Sequence, residues 1–560
     1  MSGVVEEIRA ELEKALANSL QASRDCGLIK IEQPPEITVE VPREKDHGDF
    51  ATNLAMLLAK PARMAPRRAA EILAHNFSAG TWVERVEIAG PGFINFYLKP
   101  GWVYLALPRI ISQGDRYGSV DIGRGEKVQV EFVSANPTGL LHMGNARGAA
   151  LGDSIAAILK FAGYDVSREF YINDAGNQIE NLALSLEARY LQLAGQDIPV
   201  PEDGYHGEDI IATCVSFREK YGDSYIEAEA IDRRSALVAF ALEDKLNSIK
   251  KVLKDFGVNY DVWFSEQSLH DSGAVQDTLE FLKEKGSVYD SEGALWFKAT
   301  DFGVEKDEVL VRSNGLSTYF AADIAYHRNK FQRGFGWVID IWGADHHGHV
   351  PRMKAAVQAL GYDPAALEVV IMQLVRLYKG GEIVRMSKRS GQFVTLEDLI
   401  EEVGRDAARY FFVMRGSDSH LDFDLDLAKS ESNENPVYYI QYAHARICSI
   451  MRQLDEQGGR MPDPGNVDYS LLQEEYELAL ARKLADFPGE VASAAAGLAP
   501  QRIARYLHEL AGLLHSFYNS HRVIIPEQAL SAARLVLVEA TRITLKNGLG
   551  LLSINAPERM

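Results

Sequence analysis

Two short motifs in the chain combine residue types that can handle phosphate groups. The first is His142-Met143-Gly144-Asn145, which stands where a predicted loop becomes a predicted helix. A helix start offers free backbone N–H groups and a positive dipole, and His142 and Asn145 can donate hydrogen bonds to phosphate oxygens. Gly144 lets a ligand approach the backbone closely. Considered alone, however, a His and a Gly at the start of a helix are equally compatible with an ordinary helix N-terminus that binds no ligand.

The second motif is a basic run, Arg385-Met386-Ser387-Lys388-Arg389-Ser390-Gly391. It places Arg385, Lys388 and Arg389 close together beside Ser and Gly. Such a loop can neutralise the charge that develops on a transferring phosphate. A solvated basic turn is the alternative interpretation of this run when it is considered alone.

The elements around the first motif predict an α/β unit. Residues 127–133 alternate apolar and polar side chains, as a strand does, and residues 144–161 have helical spacing. A second unit follows the same order, with a strand at 337–342, a loop at 343–348 and a helix at about 351–360. This pattern predicts a nucleotide-binding α/β fold, in which residues of about 181–286 form a mostly helical insertion.

The two ends of the chain differ from this middle part. Residues 1–110 predict a small α+β domain, with alternation at 37–41, helical spacing at 50–58, and two short strands within 86–97. From residue 435 onward the pattern is helical, with breaks at 458–468 and 489–500. We therefore expect a multidomain α/β protein divided at 1–110, 120–390, 391–434 and 435–560, the last part being an all-α helical bundle.

Composition excludes several classes of protein. The 560 residues have a net charge of −20 and three cysteines without a CxxC pair, which argues against a nucleic-acid coat protein, a disulfide scaffold and a thiolate zinc site built from neighbours in sequence. The absence of a long apolar run and of a signal-peptide pattern predicts a soluble, cytoplasmic protein without a membrane partner. The basic residues Lys60, Arg63, Arg67 and Arg68, on one predicted helix, are compatible with one specific RNA partner, although a solvated helix face is the simpler interpretation.

In order and context, the two motifs resemble the paired signatures of class I aminoacyl-tRNA synthetases, with a Rossmann-type catalytic domain. Longer blocks resemble arginyl-tRNA synthetases in particular: 131–139 leading into 142–145, 171–176, 342–348, 442–446 and 517–519. Three positions depart from the family pattern, and one of them, Arg389 in place of the final Ser of the second signature, is a common variant in this family. Asn145 stands where a second His is common, and Arg385 stands where the first Lys of the second signature is common.

The resemblance implies an arginine–tRNA ligase that activates L-arginine with ATP and Mg²⁺ and then transfers arginine to tRNA-Arg. It also implies a monomer, with a tRNA-elbow-binding domain at 1–110, a stem-contact region at 391–434 and an anticodon-binding domain at 435–560. Another class I synthetase, a nucleotidyltransferase, and a synthetase-like RNA-binding protein without catalysis remain as alternatives.

Residue roles follow from the same resemblance. The expected catalytic residues are His142, Asn145, Arg385 and Lys388. The expected ATP-binding residues are His142, Gly144, Asn145, Asp345, His346, Met386, Ser387 and Lys388. The expected arginine-binding residues are Glu131, Ser134, Asn136, His142, Tyr319 and Asp323. The expected tRNA-binding residues are Asn95, Tyr442 and Arg446, and no protein metal ligand is expected.

Within the arginine pocket, Tyr319 and Asp323 stand four residues apart on a predicted helix and therefore share one face. We assign Asp323 to the guanidinium, and Tyr319 to a hydrogen bond or to stacking on it. Glu131 and Asn136 are assigned to the α-amino end, with the substrate side chain as an alternative for Glu131. Other interpretations stay open for some residues: an exposed pair for Tyr319 and Asp323, a polar strand end for Asn95, and packing for Tyr442 and Arg446. The cluster at 345–349 could be a turn, a metal site or a ligand contact.

Overall fold

The computed structural model of the protein describes residues 3–42, 44–78, 80–137, 139–384 and 394–560. Its N-terminal unit consists of α1 (Val4–Asp25), β1 (Phe50–Thr52), α2 (Leu54–Ala59), α3 (Pro66–Asn76), β2 (Val83–Ala89), β3 (Phe93–Leu98) and α4 (Ala106–Gln113). The strands form an antiparallel sheet in the order β1-β3-β2.

One prediction for this unit is wrong in part. Residues 50–52 form the strand β1 and not the start of a helix, because Phe50 and Thr52 pair with Phe96 and Ile94 and are buried there. Only the residues from Leu54 onward are helical. The alternating segment 37–41 contributes a single bridge, Glu40 to Ala51.

The middle of the chain forms a parallel sheet in the order β11-β10-β4-β5-β6, flanked by helices. The helices and strands of this part of the chain, inside and outside the parallel sheet, are β4 (Lys127–Glu131), α5 (Met143–Phe161), β5 (Asp165–Ile172), α6 (Asn177–Leu193), α7 (Glu208–Tyr221), α8 (Ala230–Asp255), β6 (Val262–Ser265), α9 (Gln267–Asp271), α10 (Ala274–Glu284), β7 (Val288–Ser291), β8 (Ala294–Phe297), β9 (Glu308–Val311), α11 (Tyr319–Gln332), β10 (Trp337–Gly343), α12 (Val350–Ala359) and β11 (Leu367–Met372). The chain order reverses between β4 and β10, and such a switch point is where open α/β sheets bind ligands.

The stretch 181–286 differs from a purely helical insertion. Helices α6 to α10 occupy most of it, but Val262–Ser265 forms β6, which pairs in parallel with β5 at the edge of the sheet. The sheet therefore receives a strand from a region that the sequence pattern predicts to lie outside it.

A short connecting region follows, with β12 (Val375–Lys379), β13 (Glu382–Ile383), α13 (Leu396–Val403), α14 (Arg405–Val413), β14 (Leu421–Asp424) and α15 (Leu425–Lys429). Its sheet has the order β13-β12-β14. The C-terminal helices are α16 (Pro436–Glu456), α17 (Glu475–Ala496), α18 (Pro500–Ser520) and α19 (Gln528–Leu551). The break predicted at 489–500 begins later, because α17 continues through Pro488 with the buried side chains of Phe487 and Val491 on its packed face.

A buried arginine joins the C-terminal helices to the central sheet region. The guanidinium of Arg409 donates to the carbonyls of Leu552 and Phe256, which follow the ends of α19 and α8, and to the Asp153 carboxylate on α5. A cation is favoured at the C-terminal ends of helices. Among the described residues, no helix is both long enough and apolar enough to cross a membrane.

Candidate functional site

A cavity of about 880 Å³ opens at the carboxyl ends of β4, β5 and β10, between the starts of α5 and α11. It lies at the switch point between β4 and β10. Most of the residues expected at the active site line it: Glu131, Ser134, Asn136, His142, Asn145, Tyr319, Asp323, Asp345 and His346. The sheet topology thus brings together side chains from distant parts of the sequence.

The chain turns sharply where β4 ends. Val133 and Ser134 have φ angles of +70° and +39°, a left-handed conformation that is unfavourable for a β-branched residue such as valine. The Ser134 hydroxyl donates to Glu131 Oε1 at 2.8 Å, and the Asn136 amide donates to Gln178 Oε1 at 2.8 Å. This turn presents both polar side chains to the cavity.

The first signature forms the start of α5. His142 is the N-cap, and its Nδ1 accepts a hydrogen bond from the Gly144 N–H at 3.1 Å. The Asn145 side-chain oxygen accepts from the His142 N–H at 3.0 Å. Because its oxygen is occupied in this way, Asn145 offers its amide N–H groups to a ligand, which suits an anion. Gly144 lies in the first turn of the helix between these two side chains.

Helix α11 supplies the predicted pair Tyr319 and Asp323, and both line the cavity. The Asp323 side chain is about one third exposed, and its Oδ2 lies 3.2 Å from His349 Nε2. Tyr319 is 47% exposed. Both side chains therefore combine partial solvent exposure with a place in the cavity wall.

A buried network of charges forms the floor of the cavity. Lys330 is fully buried, and its Nζ lies 2.6 Å from Glu131 Oε2 and 2.7 Å from Asp340 Oδ1. Asp340 Oδ2 also contacts His327 Nε2 at 2.8 Å. Burial alone would raise the pKa of Asp340, but Lys330 and His327 outweigh it and hold this pKa at about 2. Burial also raises the pKa of Glu131, which Lys330 only partly opposes.

Glu266 is a carboxyl group of the cavity that has no expected role in the sequence analysis. It follows β6 directly and is only 3% exposed. Burial, and to a lesser extent the nearby charge of Asp323, raise its pKa from the ordinary value of 4.5 to about 7. The sequence gives little sign of this residue, because β6 is short and lies among helices. Tyr171 and Asn173, which also line the cavity, belong to a block noted for its resemblance but given no role.

The loop after β10 brings Asp345 and His346 to the cavity wall, with His346 Nε2 3.5 Å from Asp345 Oδ2. His349 packs against Trp342 and contacts Asp323. In the described part of the chain, no group of three or more His, Cys, Asp or Glu side chains is arranged to hold a metal ion. Asp345 and His346 of this loop thus face the same cavity as Asp323.

The remaining expected residues lie elsewhere. Arg385, Met386, Ser387 and Lys388 fall outside the described residues. Asn95 lies on the central strand β3 and is 3% exposed, whereas Phe93, on the same face two residues earlier, is 41% exposed. On this face of the sheet the Phe93 ring is therefore open to solvent and the Asn95 side chain is buried. Tyr442 and Arg446 lie on α16, where the Arg446 guanidinium donates to the Tyr442 hydroxyl at 3.0 Å and packs on the Tyr518 ring.

Comparisons with known proteins agree with this architecture. Family models match three consecutive parts of the chain: "Arginyl tRNA synthetase N terminal domain" at residues 6–98, "tRNA synthetases class I (R), catalytic domain" at 106–418, and "DALR anticodon binding domain" at 440–560. The arginine–tRNA ligase of Desulforamulus reducens is 65% identical over the full length of both chains, and that of Desulforudis audaxviator is 64% identical, also over both full lengths.

Solved structures are similar as well. The Thermus thermophilus arginyl-tRNA synthetase has a TM-score of 0.74 and 25% identity, and the match covers 99% of this chain and all of that one. A putative arginyl-tRNA synthetase from Campylobacter jejuni has a TM-score of 0.76 and 35% identity, covering 83% of this chain and all of that one. The parallel sheet, the helix start at its switch point and the matched catalytic model define a class I aminoacyl-tRNA synthetase. Within that class, the chain belongs to the arginyl-tRNA synthetase family, which confirms the resemblance.

Proposed function

We propose that the protein is an arginine–tRNA ligase, which uses ATP to form arginyl-adenylate and then transfers arginine to the 3′ end of tRNA-Arg. The observation that supports this most directly is the cavity itself. Carboxyl groups of Asp323, Glu131 and Glu266 line the same space as the anion-favouring helix start at His142. One cavity can therefore hold a cationic amino acid and a nucleotide phosphate together.

The guanidinium of arginine is planar, permanently charged and has five N–H donors, so a selective pocket needs acceptors around it. We assign the charge to Asp323, with Tyr319 bonding or stacking on the plane. Glu266, which is almost completely buried in the same cavity, is the second carboxyl group that we place at the guanidinium. Ser134, Asn136 and His142 then face the α-amino and carboxylate end.

Glu131 fits the α-amino end better than the side chain of the substrate. Its carboxylate already contacts the buried Lys330, which offsets much of its negative charge. A partly neutralised carboxylate can accept a hydrogen bond from an ammonium group, but it attracts a guanidinium less strongly than Asp323 does.

In the activation step, a carboxylate oxygen of arginine attacks the α-phosphorus of ATP. The bond from this phosphorus to the bridging oxygen breaks, and pyrophosphate leaves. We propose that His142, Gly144 and Asn145 bind phosphate oxygens, and that Asp345 and His346 contact the nucleotide. Arg385, Met386, Ser387 and Lys388 would complete the site, with Lys388 stabilising the leaving pyrophosphate.

Mg²⁺ fits this site as a partner of the nucleotide. Mg²⁺ is commonly held by substrate phosphates and water with few protein ligands, and the described residues offer no cluster that would bind it alone. When bound, it would neutralise phosphate charge.

In the second step a ribose hydroxyl of the tRNA attacks the arginyl carbonyl carbon, and AMP leaves.

For tRNA we propose contacts outside the catalytic domain. Domain 1–110 would bind the tRNA elbow through Asn95 and the exposed ring of Phe93, since bases stack on aromatic side chains. Region 391–434 would contact the acceptor stem, and domain 435–560 would bind the anticodon through Tyr442 and Arg446. We further propose that the protein acts as a monomer in the cytoplasm.

Pyrophosphate exchange with each amino acid, with and without tRNA, tests the proposed function. We expect arginine, and no other amino acid, to support exchange. Exchange with a different amino acid would indicate another class I synthetase. If no amino acid supports exchange even when tRNA is present, the ligase assignment is wrong and the non-catalytic alternative is favoured.

A further inference from the structure

Three buried carboxylates lie side by side on the parallel sheet beneath the cavity. Asp340 on β10, Glu131 on β4 and Glu169 on β5 are direct neighbours in the strand pairing. Helix α11 places a basic side chain against each of them: His327 against Asp340, Lys330 against both Asp340 and Glu131, and Arg333 against Glu169. These basic residues are spaced by three, and a row with this spacing is inclined to the helix axis, so it can cross neighbouring strands. Charged contacts therefore hold one helix across three strands.

Lys330 is the central member of this row and is fully buried. Its three N–H donors each have a partner, because Nζ lies 2.6 Å from Glu131 Oε2, 2.7 Å from Asp340 Oδ1 and 4.4 Å from the centre of the Tyr326 ring. Apolar side chains often replace a buried ion pair without loss of stability. Stability alone therefore does not require a lysine here, whereas a buried polar contact can fix the register of two packed elements.

The elements that Lys330 joins carry the groups that we place at the two ends of arginine. Glu131, placed at the α-amino end, stands at the end of β4, and its Oε1 accepts a hydrogen bond from Ser134 at 2.8 Å. Asp323, placed at the guanidinium, lies on α11 seven residues before Lys330, which is about 10 Å along the helix axis. Lys330 therefore connects the helix that bears one of these carboxylates directly to the other carboxylate.

We infer that Lys330 is a positioning residue that sets the separation of Asp323 and Glu131, and that it thereby makes the pocket selective for the chain length of arginine. This inference rests on the proposed function, in which arginine occupies the cavity. Apolar contacts alone would hold α11 less uniquely, because apolar cores lose a unique arrangement before they lose stability. With Lys330 bonded to β4 and β10, a guanidino acid with one methylene more or fewer reaches both carboxylates only if the helix moves.

Arg333 provides a matched control on the same helix. It is the C-cap of α11, and its Nη1 and Nη2 donate to the Glu169 carboxylate at 2.6 and 2.8 Å. Glu169 is fully buried, as Asp340 is, but it is not one of the described residues that line the cavity. Loss of this pair therefore weakens a charged contact between α11 and the sheet without removing a bond from Asp323 or Glu131.

The experiment compares K330M and R333Q with the parent in the full-length protein. Calorimetric titration gives Kd for L-arginine, for L-homoarginine, which has one more methylene, and for L-norarginine, which has one fewer. Thermal unfolding reports stability. The three ligands have the same α-amino and guanidinium groups, so a contact weakened at either end changes all three affinities alike and cancels in the ratios of Kd.

We expect the parent to bind arginine roughly 10- to 200-fold more tightly than either homologue, which is the range that one methylene usually gives. K330M should lower this preference by about tenfold, the lower end of that range, because α11 can then shift to fit the other chain lengths. R333Q should unfold at a lower temperature than the parent and keep the parent ratios.

D340N is a second variant in case K330M does not fold. The Asp340 carboxylate has one oxygen for Lys330 and the other for His327, whereas an amide has a single oxygen, so D340N removes one anchor of Lys330 and buries no new charge. It should lower the preference in the same way. Parent ratios in folded K330M, or in D340N if K330M is unfolded, would overturn the inference, as would an equal reduction in R333Q.

Pyrophosphate exchange by the parent tests the proposed function separately from these ratios. A parent protein that binds arginine but catalyses no exchange would refute the ligase assignment, and the Kd ratios would still decide the role of Lys330. A parent protein that binds no arginine would refute both.

Discussion

Substitution of Glu266 by glutamine should weaken arginine binding and stabilise the fold at the same time. Glu266 is almost fully buried, and its pKa is raised from 4.5 to about 7, first by burial and then by Asp323. The unfolded chain releases this proton near pH 4.5, whereas the folded protein keeps it up to about pH 7. The free energy of unfolding therefore decreases as the pH rises between these values.

The size of the effect follows from the two pKa values. Each pH unit between them is worth about 1.4 kcal/mol, so ionised Glu266 costs about 3 kcal/mol of stability above pH 7. The variant E266Q avoids this cost. At pH 8 its free energy of unfolding should exceed that of the parent by up to this amount, and the two should converge near pH 5.

Arginine binding should change in the opposite direction. A hydrogen bond to a charged group contributes about 1.5–3 kcal/mol, which corresponds to roughly 10- to 140-fold in KM at pH 8. In the parent protein, KM for arginine should rise about tenfold per pH unit below 7 as Glu266 takes up its proton. In E266Q this KM should stay flat between pH 6 and 8.

Denaturant unfolding at several pH values and exchange kinetics over the same range provide the test, with KM for ATP as the internal control. A pH-dependent KM for arginine that persists in E266Q would place the titrating group elsewhere. If E266Q were no more stable than the parent at pH 8, the carboxyl would be ionised without penalty, and the reasoning would be wrong.

Four further substitutions test the catalytic site and the N-terminal sheet. D323A should lower kcat/KM for arginine by roughly 30- to 3,000-fold, because truncating one partner of a charged pair costs about 2–5 kcal/mol, with KM for ATP little changed; unaltered arginine kinetics would move the guanidinium site towards Glu266. K388A should slow activation by about 10²–10³-fold while the affinity for arginine, measured by titration, stays the same; equal activation rates would remove Lys388 from the mechanism. N95A and F93A should each raise KM for tRNA by roughly 5- to 140-fold, because a lost base contact or stacked base costs about 1–3 kcal/mol, and should leave KM for ATP unchanged. If neither variant changes the tRNA constant, the N-terminal sheet does not bind tRNA through this face.

The elements that position the phosphate site could be predicted because their signals are local. Alternation at 127–133 and helical spacing at 144–161 identify β4 and α5 without knowledge of the rest of the fold. The same holds for Tyr319 and Asp323, whose spacing of four residues places them together on α11.

Residues whose role depends on distant partners could not be predicted in this way. Lys330 and Arg409 look like surface charges in the sequence, since nothing local reveals that distant strands and helices bury them. Glu266 was missed because its strand β6 is only four residues long and acquires its place from pairing with β5. Phe50 to Thr52 resemble the helix that follows, and tertiary pairing with β3 overrides that local preference.

The contacts of Asp153 bear on how the chain folds during synthesis. The Asp153 carboxylate accepts hydrogen bonds from the Arg409 guanidinium and from the hydroxyl of Ser553, a residue that is synthesised 400 positions later. Arg409 in turn bonds to the carbonyl of Leu552. Until Arg409, Leu552 and Ser553 have emerged from the ribosome, the Asp153 carboxylate on α5 lacks the hydrogen bonds from Arg409 and Ser553 that it has in the native state. Domains generally fold in order as they emerge from the ribosome. Among the described residues, the nucleotide-binding part itself supplies only Arg168 to this carboxylate, at 3.1 Å, and the bonds from Arg409 and Ser553 form later. Partially synthesised chains should therefore hold this region in a loosely packed state that is sensitive to proteases.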